Sequence, residues 1–284
     1  MAEHSRRDLF TGAAIQREAA ACQEALAEAA TTLWPDAEGA VALATVAMAC
    51  DVEVFAPSGP DIPVAALSSA LDVITHVESR ISVYRPESEL SRVNREAFSE
   101  GTTVESDVYH WLNEALNLAH QLEGAFDPTA GPLVALWQRC RREVRLPTEC
   151  EIAAALSRVG FDKVRLSPAE RQVRFSVEGM SLNLNAFGKG AALDAAARLL
   201  IGDEVESFCL HAGRSSVYAR GRSDRMATEP GWTVAISNPL MAHHRLARLR
   251  LVDSGMSTSG NGIQFYSVSG HRYGHVLDPR SGWP

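Results

Sequence analysis

The chain has 284 residues, 46% hydrophobic and 22% charged, which is ordinary for a globular protein and enough for one large domain or two small ones. Its formal net charge of -8 argues against long nucleic acid as a partner, although one loop can still hold a compact anion. The cysteines Cys22, Cys50, Cys140, Cys150 and Cys209 are odd in number and have no CxxC spacing. They read as reduced core thiols rather than a zinc site or disulfide framework.

The chain opens with Ser5-Arg6-Arg7-Asp8-Leu9-Phe10, which resembles a twin-arginine export signal. Arg17, Glu18, Glu24 and Glu28 interrupt the apolar core that such a signal needs. Residues 1–47 therefore read as an Ala-rich amphipathic helix plus linker, in a cytoplasmic protein, with export as the alternative. No apolar run is long enough to cross a bilayer. Residues 50–57 alternate around Val52 and Val54 and predict a strand. Residues 64–81 and 106–122 carry apolar side chains at three- and four-residue steps and predict amphipathic helices. In residues 84–94, Tyr84 can stack on a planar ring, and Ser88, Ser91 and Asn94 can bond polar ligand atoms. The same residues also fit a helix N-cap at Ser88 with Ser91 and Asn94 on an exposed face.

In residues 124–137, Asp127 and Thr129 sit among Pro128, Gly131 and Pro132 and read first as a capping turn for a helix beginning near Leu133. Residues 171–179 alternate and turn at Glu178-Gly179, which predicts a hairpin with residues 180–187. The stretch 183–200 runs from strand through a small-residue turn into a helix after Gly190. Gly188 and Gly190 would let a ligand approach the backbone, and the helix start would favour an anion. Lys189 adds charge, and it is one of only two lysines among 27 basic residues. Neither a Walker A loop nor a third dinucleotide-fingerprint glycine is present, so the glycines equally fit plain packing. From residue 207 onward short strands dominate: 207–211, 215–220, 232–237, 246–252, 264–268 and 273–277. Helices early and strands late predict an α+β architecture of mixed or antiparallel sheets with packed helices. Ser257, Thr258, Ser259 and Gly260 read as a small polar loop suited to phosphate. His275 and Asp278 share a short strand–turn unit, where a hydrogen-bonded structural His is the plain alternative. The remaining histidines, His243-His244 included, have no metal-ligand spacing.

Taken in order, these pieces resemble one family, the FAD:protein FMN transferases, also called thiamine-biosynthesis lipoprotein-like proteins. ISVYRPESELSRVN, GAFDPTAGPLVALW, NLNAFGKGAALD, STSGNG and HRYGHVLDPRSG each resemble a family motif, and AISNP sits where the family has a similar short run. The resemblance runs from Met48 to the last residue. It implies a T-fold-related single domain over residues 48–284 and transfer of FMN from FAD to a threonine of an acceptor protein, with Mg²⁺ at the diphosphate and release of AMP. It implies FAD contacts at Met48, Tyr84, Ala125, Phe126, Asp127, Thr129, Asn183, Gly188, Lys189, Ser259, Gly260, His275 and Val276. The implied catalytic set is His275, Lys189 and Asp278, and the implied metal ligand is the Ala186 carbonyl. Departures stand beside it. The family's motif-opening Asp is Asn183, its paired glycines are Asn185 and Ala186, and the T-S-G run is followed by Asn261. The family also continues past D-P-x-T-G into a segment with metal-holding Asp and Thr residues; this sequence stops before it, which reads either as a truncated sequence or as weak or lost metal binding. The alternatives are a flavin-binding relative without transferase activity and an interaction protein that binds no flavin.

Overall fold

A computed structural model describes residues 40–213, 215–226, 228–238, 245–260 and 265–284. The helical reading of residues 1–39 and the twin-arginine motif lie outside the described residues. So do Arg214, Pro239, His243-His244 and Asn261.

The first described element corrects the sequence reading. Residues 40–47 were counted with the Ala-rich helical segment, yet β1 (Ala40–Ala47) is a strand. It pairs antiparallel along its whole length with β2 (Cys50–Pro57). Alanine's helix preference is a weak prior, and a full ladder against an already alternating neighbour overrides it. The two strands join through Met48 and Ala49, both left-handed with φ of 53° and 56°. A two-residue hairpin of this kind normally uses Asn-Gly, so each non-glycine residue here holds about 1 kcal/mol of strain.

The sheet continues through β6 (Phe208–Ala212), β7 (Ser216–Arg220) and β10 (Ser254–Ser257), in the order β1-β2-β6-β7-β10 with every pairing antiparallel. On one face lie α1 (Val64–Ile81) and α6 (Asn185–Gly202), packed against each other and the sheet. The apolar steps of α1 bury Leu67, Leu71, Ile74, Val77 and Ile81. Ala191, Ala192, Ala196 and Ala197 let α6 approach closely. The opposite face carries Phe55, Cys209, Val217 and Ala219, covered by Trp232, Val234 and Leu251. These come from a hairpin of β8 (Trp232–Ser237) and β9 (Arg245–Leu251). Each such apolar side chain contributes about 1.5–3 kcal/mol on burial.

Two smaller units complete the fold. α2 (Glu89–Glu96) and α3 (Ser106–Gln121) accompany a three-stranded sheet of β3 (Thr102–Thr103), β4 (Val164–Ser167) and β5 (Gln172–Phe175), in the order β3-β5-β4. The hairpin partner of β5 is thus β4 before it, not residues 180–187 after it. The turn at Arg171, φ 48°, fixes that choice. Residues 180–184 instead run alone, with one bridge from Ser181 to Ala130. α4 (Gly131–Arg142) and α5 (Glu149–Leu156) form the second unit. The hairpin β11 (Phe265–Val268) and β12 (His271–Gly274) packs on it through Tyr266 and Tyr273, whose rings lie 6.1 Å from Trp137. The architecture is α+β, as the sequence predicts. The expected strand at 273–277 forms instead at His271–Gly274, and α5 was not foreseen.

Candidate functional site

The expected Gly-rich turn is itself helical. α6 begins at Asn185, not after Gly190, because Asn183 Oδ1 accepts from the Asn185 amide at 3.0 Å and starts the helix early. The Leu184 carbonyl accepts from Phe187 at 3.0 Å and Gly188 at 2.7 Å. Three of the first four amides therefore have partners inside the protein, which weakens the expected helix-start anion site. Gly188 serves packing: a Cβ there would meet Ile81 Cδ1 at 3.2 Å. Gly190 faces open space.

Lys189 lies one turn into α6 and reaches across to the sheet. Its Nζ donates to Ser215 Oγ at 3.3 Å. It also lies 3.0 Å from where a Cβ on Gly213 would stand, and Cys50 Sγ is equally close to that point. Gly213 is left-handed, φ 59°, so glycine is needed there both for conformation and for space. Cys50 is half-buried. Burial raises its thiol pKa, and the neighbouring Lys189 ammonium opposes the rise. Ser215 in turn accepts at its carbonyl from the Thr258 amide at 2.8 Å, and Ser216 and Ser257 hydroxyls lie 3.5 Å apart. The strained Met48-Ala49 turn ends beside Cys50, and Gly213 donates to the Asp51 carbonyl at 2.8 Å. One end of the five-stranded sheet thus gathers Met48, Cys50, Lys189, Ser215 and Thr258. Ser259 and Gly260 follow, exposed. β10 itself occupies Ser254–Ser257, so the polar phosphate loop read from the sequence is half strand.

Tyr84 joins this end of α6. Its hydroxyl accepts from Asn185 Nδ2 at 3.1 Å and Gln138 Nε2 at 3.3 Å, while its ring stays 65% exposed. Beyond it, Ser88 is the N-cap of α2, accepting from Ser91 at 3.0 Å. Ser91 is buried. Asn94 ties both the amide and the carbonyl of Leu182, at 2.7 and 2.9 Å, so neither lies on the exposed face that the plain reading expects.

Asp127 and Thr129 form a clamp. Asp127 Oδ1 accepts from the Thr129 amide at 2.7 Å and hydroxyl at 2.6 Å, and Oδ2 accepts from the Phe161 amide at 3.1 Å. Thr129 Oγ1 accepts from Gly160 at 2.7 Å. With Asp127 6% exposed and Thr129 fully buried, both side chains are occupied in structure. Ala125 is exposed and Phe126 half-buried beside them. Gly124, Asp127, Gly160, Phe161, Pro279 and Arg280 line a shallow cleft of about 340 Å³.

The chain's last residues turn back on α4 and α5. Asp278 accepts from Arg280 through its amide at 3.0 Å and its guanidinium at 2.9 and 3.1 Å. These bonds hold its carboxyl below the usual carboxylate range. Trp137 Nε1 donates to the Gly282 carbonyl at 2.8 Å. Asp278 is thus held in a turn with its oxygens facing Arg280. His275 and Val276 are exposed just before it.

The structure links Thr258 to Ser215, the hydroxyl partner of Lys189, and it docks residues 277–283 on α4 and α5. The sequence does not single out Cys50, Gln138 or Arg280; Asn185 stands out only where the family has a glycine, and Ser215 only lies in a run loosely like a family motif. Only the β-ladder sets Cys50 and Ser215 beside Lys189. As the second residue of α6, Ala186 points its carbonyl up the helix, not out of its N-terminal mouth. No group of three or more His, Cys, Asp or Glu side chains converges among the described residues. A hard divalent cation takes about six oxygens, several anionic. The described residues do not fit such an ion, and no step below passes through one.

Fold and site together define an α+β protein with a lysine-bearing polar cluster at one end of an antiparallel sheet. The chain belongs to the ApbE family, whose family model matches residues 29–284. It is 28% identical over 219 residues to the FAD:protein FMN transferase of Haemophilus influenzae, covering 75% of this chain and 62% of that protein. It is 29% identical over 246 residues to the enzyme of the same name from Treponema pallidum, covering 83% of this chain and 68% of that protein. The crystal structure of the ApbE protein of Thermotoga maritima shares the fold with a TM-score of 0.77 at 24% identity, over 86% of this chain and 78% of that one. The chain thus spans roughly two thirds of the length of these curated relatives. No helix among the described residues is long and apolar enough to cross a membrane.

Proposed function

We propose that this chain transfers the FMN part of FAD to a threonine of an acceptor protein and releases AMP. Family membership supports the reading, and one observation carries it: Lys189 donates to Ser215 Oγ, close to Cys50, at the end of the sheet that carries the Met48 turn. The diphosphate would lie there. The threonine oxygen bonds to the FMN phosphorus, the bond from that phosphorus to the bridging oxygen breaks, and AMP leaves with that oxygen. The threonine proton passes to His275, which is exposed after β12. Phosphoryl transfer depends on alignment and on neutralising charge at the phosphate oxygens, and Lys189 supplies that charge. The strained Met48 turn supports a functional role for the β1–β2 end, because strain of this kind clusters at binding sites.

The test incubates the chain with FAD and an acceptor domain, with and without Mg²⁺, and follows AMP and the mass of the acceptor. The reading expects AMP and a flavinylated acceptor in equal amounts, with both lost in Lys189→Met. If the wild type gives neither with or without the metal, the transferase reading fails. A second reading is favoured by the occupied Asp127 and Asp278 carboxylates and by Asn183: a flavin-binding relative without transfer. It expects FAD binding that EDTA leaves unchanged, and no AMP.

A further inference from the structure

We propose that Gln138 and Asn185 are positioning residues that hold the Tyr84 ring as a platform for a planar ring of the bound dinucleotide. The proposal rests on the FAD reading above. An aromatic ring that is 65% exposed normally swings freely, yet this one is tethered. Its hydroxyl receives Asn185 Nδ2 from α6 at 3.1 Å and Gln138 Nε2 from α4 at 3.3 Å. Its backbone amide donates to Ser82 Oγ at 3.3 Å. The loop beneath it is closed by Ser88 Oγ donating to the Ser82 carbonyl at 2.7 Å and by the Arg85 amide to the same carbonyl at 3.3 Å. Ring and loop are therefore ordered before any ligand arrives, which lowers the entropy cost of binding.

Asn185 and Lys189 lie four residues apart on α6, and such residues are neighbours on one helix face, with Cβ atoms about 5–6 Å apart. The tether that fixes the ring thus sits one helical turn from Lys189. A stacking surface held on the same helix face as a cation suits a ligand whose planar heterocycle is joined to a phosphate chain. Either ring system of FAD has that chemistry, so FMN and AMP serve as separate probes of which ring occupies the platform.

The test measures FAD binding by quenching of flavin fluorescence, which needs no turnover. Tyr84→Phe keeps the ring and removes the acceptor. Gln138→Ala and Asn185→Ala each remove one tether, and all three positions are exposed enough to leave the fold intact, as circular dichroism checks. Each tether variant is expected to raise the Kd for FAD about three- to tenfold, the scale of one disordered base–aromatic stack. In a Tyr84→Phe background the same two substitutions are expected to have no further effect, because their only route to the ligand is the lost hydroxyl. Equal losses in both backgrounds overturn the positioning role. FAD binding that all three variants leave unchanged overturns the positioning role alone, whereas a wild type that binds no FAD overturns the functional reading with it.

Discussion

Replacing Asp127 by alanine removes a buried carboxylate that accepts three hydrogen bonds, two from Thr129 and one from Phe161. A hydrogen bond to a charged group contributes about 1.5–3 kcal/mol, and such terms fall short of additive when they share one acceptor. The expected loss is about 4 kcal/mol, a large share of a typical stability of about 5–15 kcal/mol. Asp127→Asn keeps one oxygen but sets an NH₂ against an amide donor, so it is expected to cost about 2 kcal/mol. Urea unfolding followed by tryptophan fluorescence reads both, since Trp137 lies in the unit that this clamp borders. With an m-value of about 2–3 kcal/mol/M the alanine midpoint should fall by roughly 1.3–2 M at unchanged slope. A midpoint that moves by less than about 0.3 M, together with lost FAD binding, refutes the clamp and makes Asp127 a ligand contact.

Gly282→Ala is expected to cost about 1–3 kcal/mol and to loosen the docked end of the chain. A Cβ there would stand 2.9 Å from Ile152 Cγ2 and 3.1 Å from Leu133 Cδ2, at φ 75°. Faster proteolytic trimming of the last residues, with a lower urea midpoint, checks it, and an unchanged midpoint overturns it. The protein is also expected to lose stability in alkali. Burial pushes the Cys209 thiol from 9.0 up to about 12, and Tyr266 from 10.0 up to about 12. The folded state keeps these protons where the unfolded chain releases them. Their stabilisation is therefore complete below pH 9 and falls away as pH rises toward 12, by about 1.4 kcal/mol per pH unit for the thiol. Urea midpoints between pH 9 and 10, before Tyr266 contributes, should fall more steeply in the wild type than in Cys209→Ala. Equal slopes would show that Cys209 is not responsible.

The amphipathic spacing of α1 and α3 and the alternation of β2 were legible because they depend only on neighbours along the chain. The same holds for Ser88 as the N-cap that accepts from Ser91 and for Asp127 as a turn former bonded to Thr129, although its bond to Phe161, 34 residues on, is not local. The start of α6 was misread because glycine normally marks a turn, whereas Gly188 is there to admit Ile81 from α1, a contact 107 residues away that no local pattern encodes. Strand β1 was lost among alanines because its reason for being extended is the ladder with β2, not its own propensity.

By itself the sequence determined the α+β class and marked Lys189, because a lone lysine inside a small-residue helix start is visible without coordinates. Only the tertiary structure decided what surrounds that lysine. Cys50 and Ser215 reach it through antiparallel pairing across β2, β6 and β7, and Tyr84 is tethered by side chains from α4 and α6. Contacts between distant segments are set by how layers pack, and that information is spread over the whole core rather than written at the site.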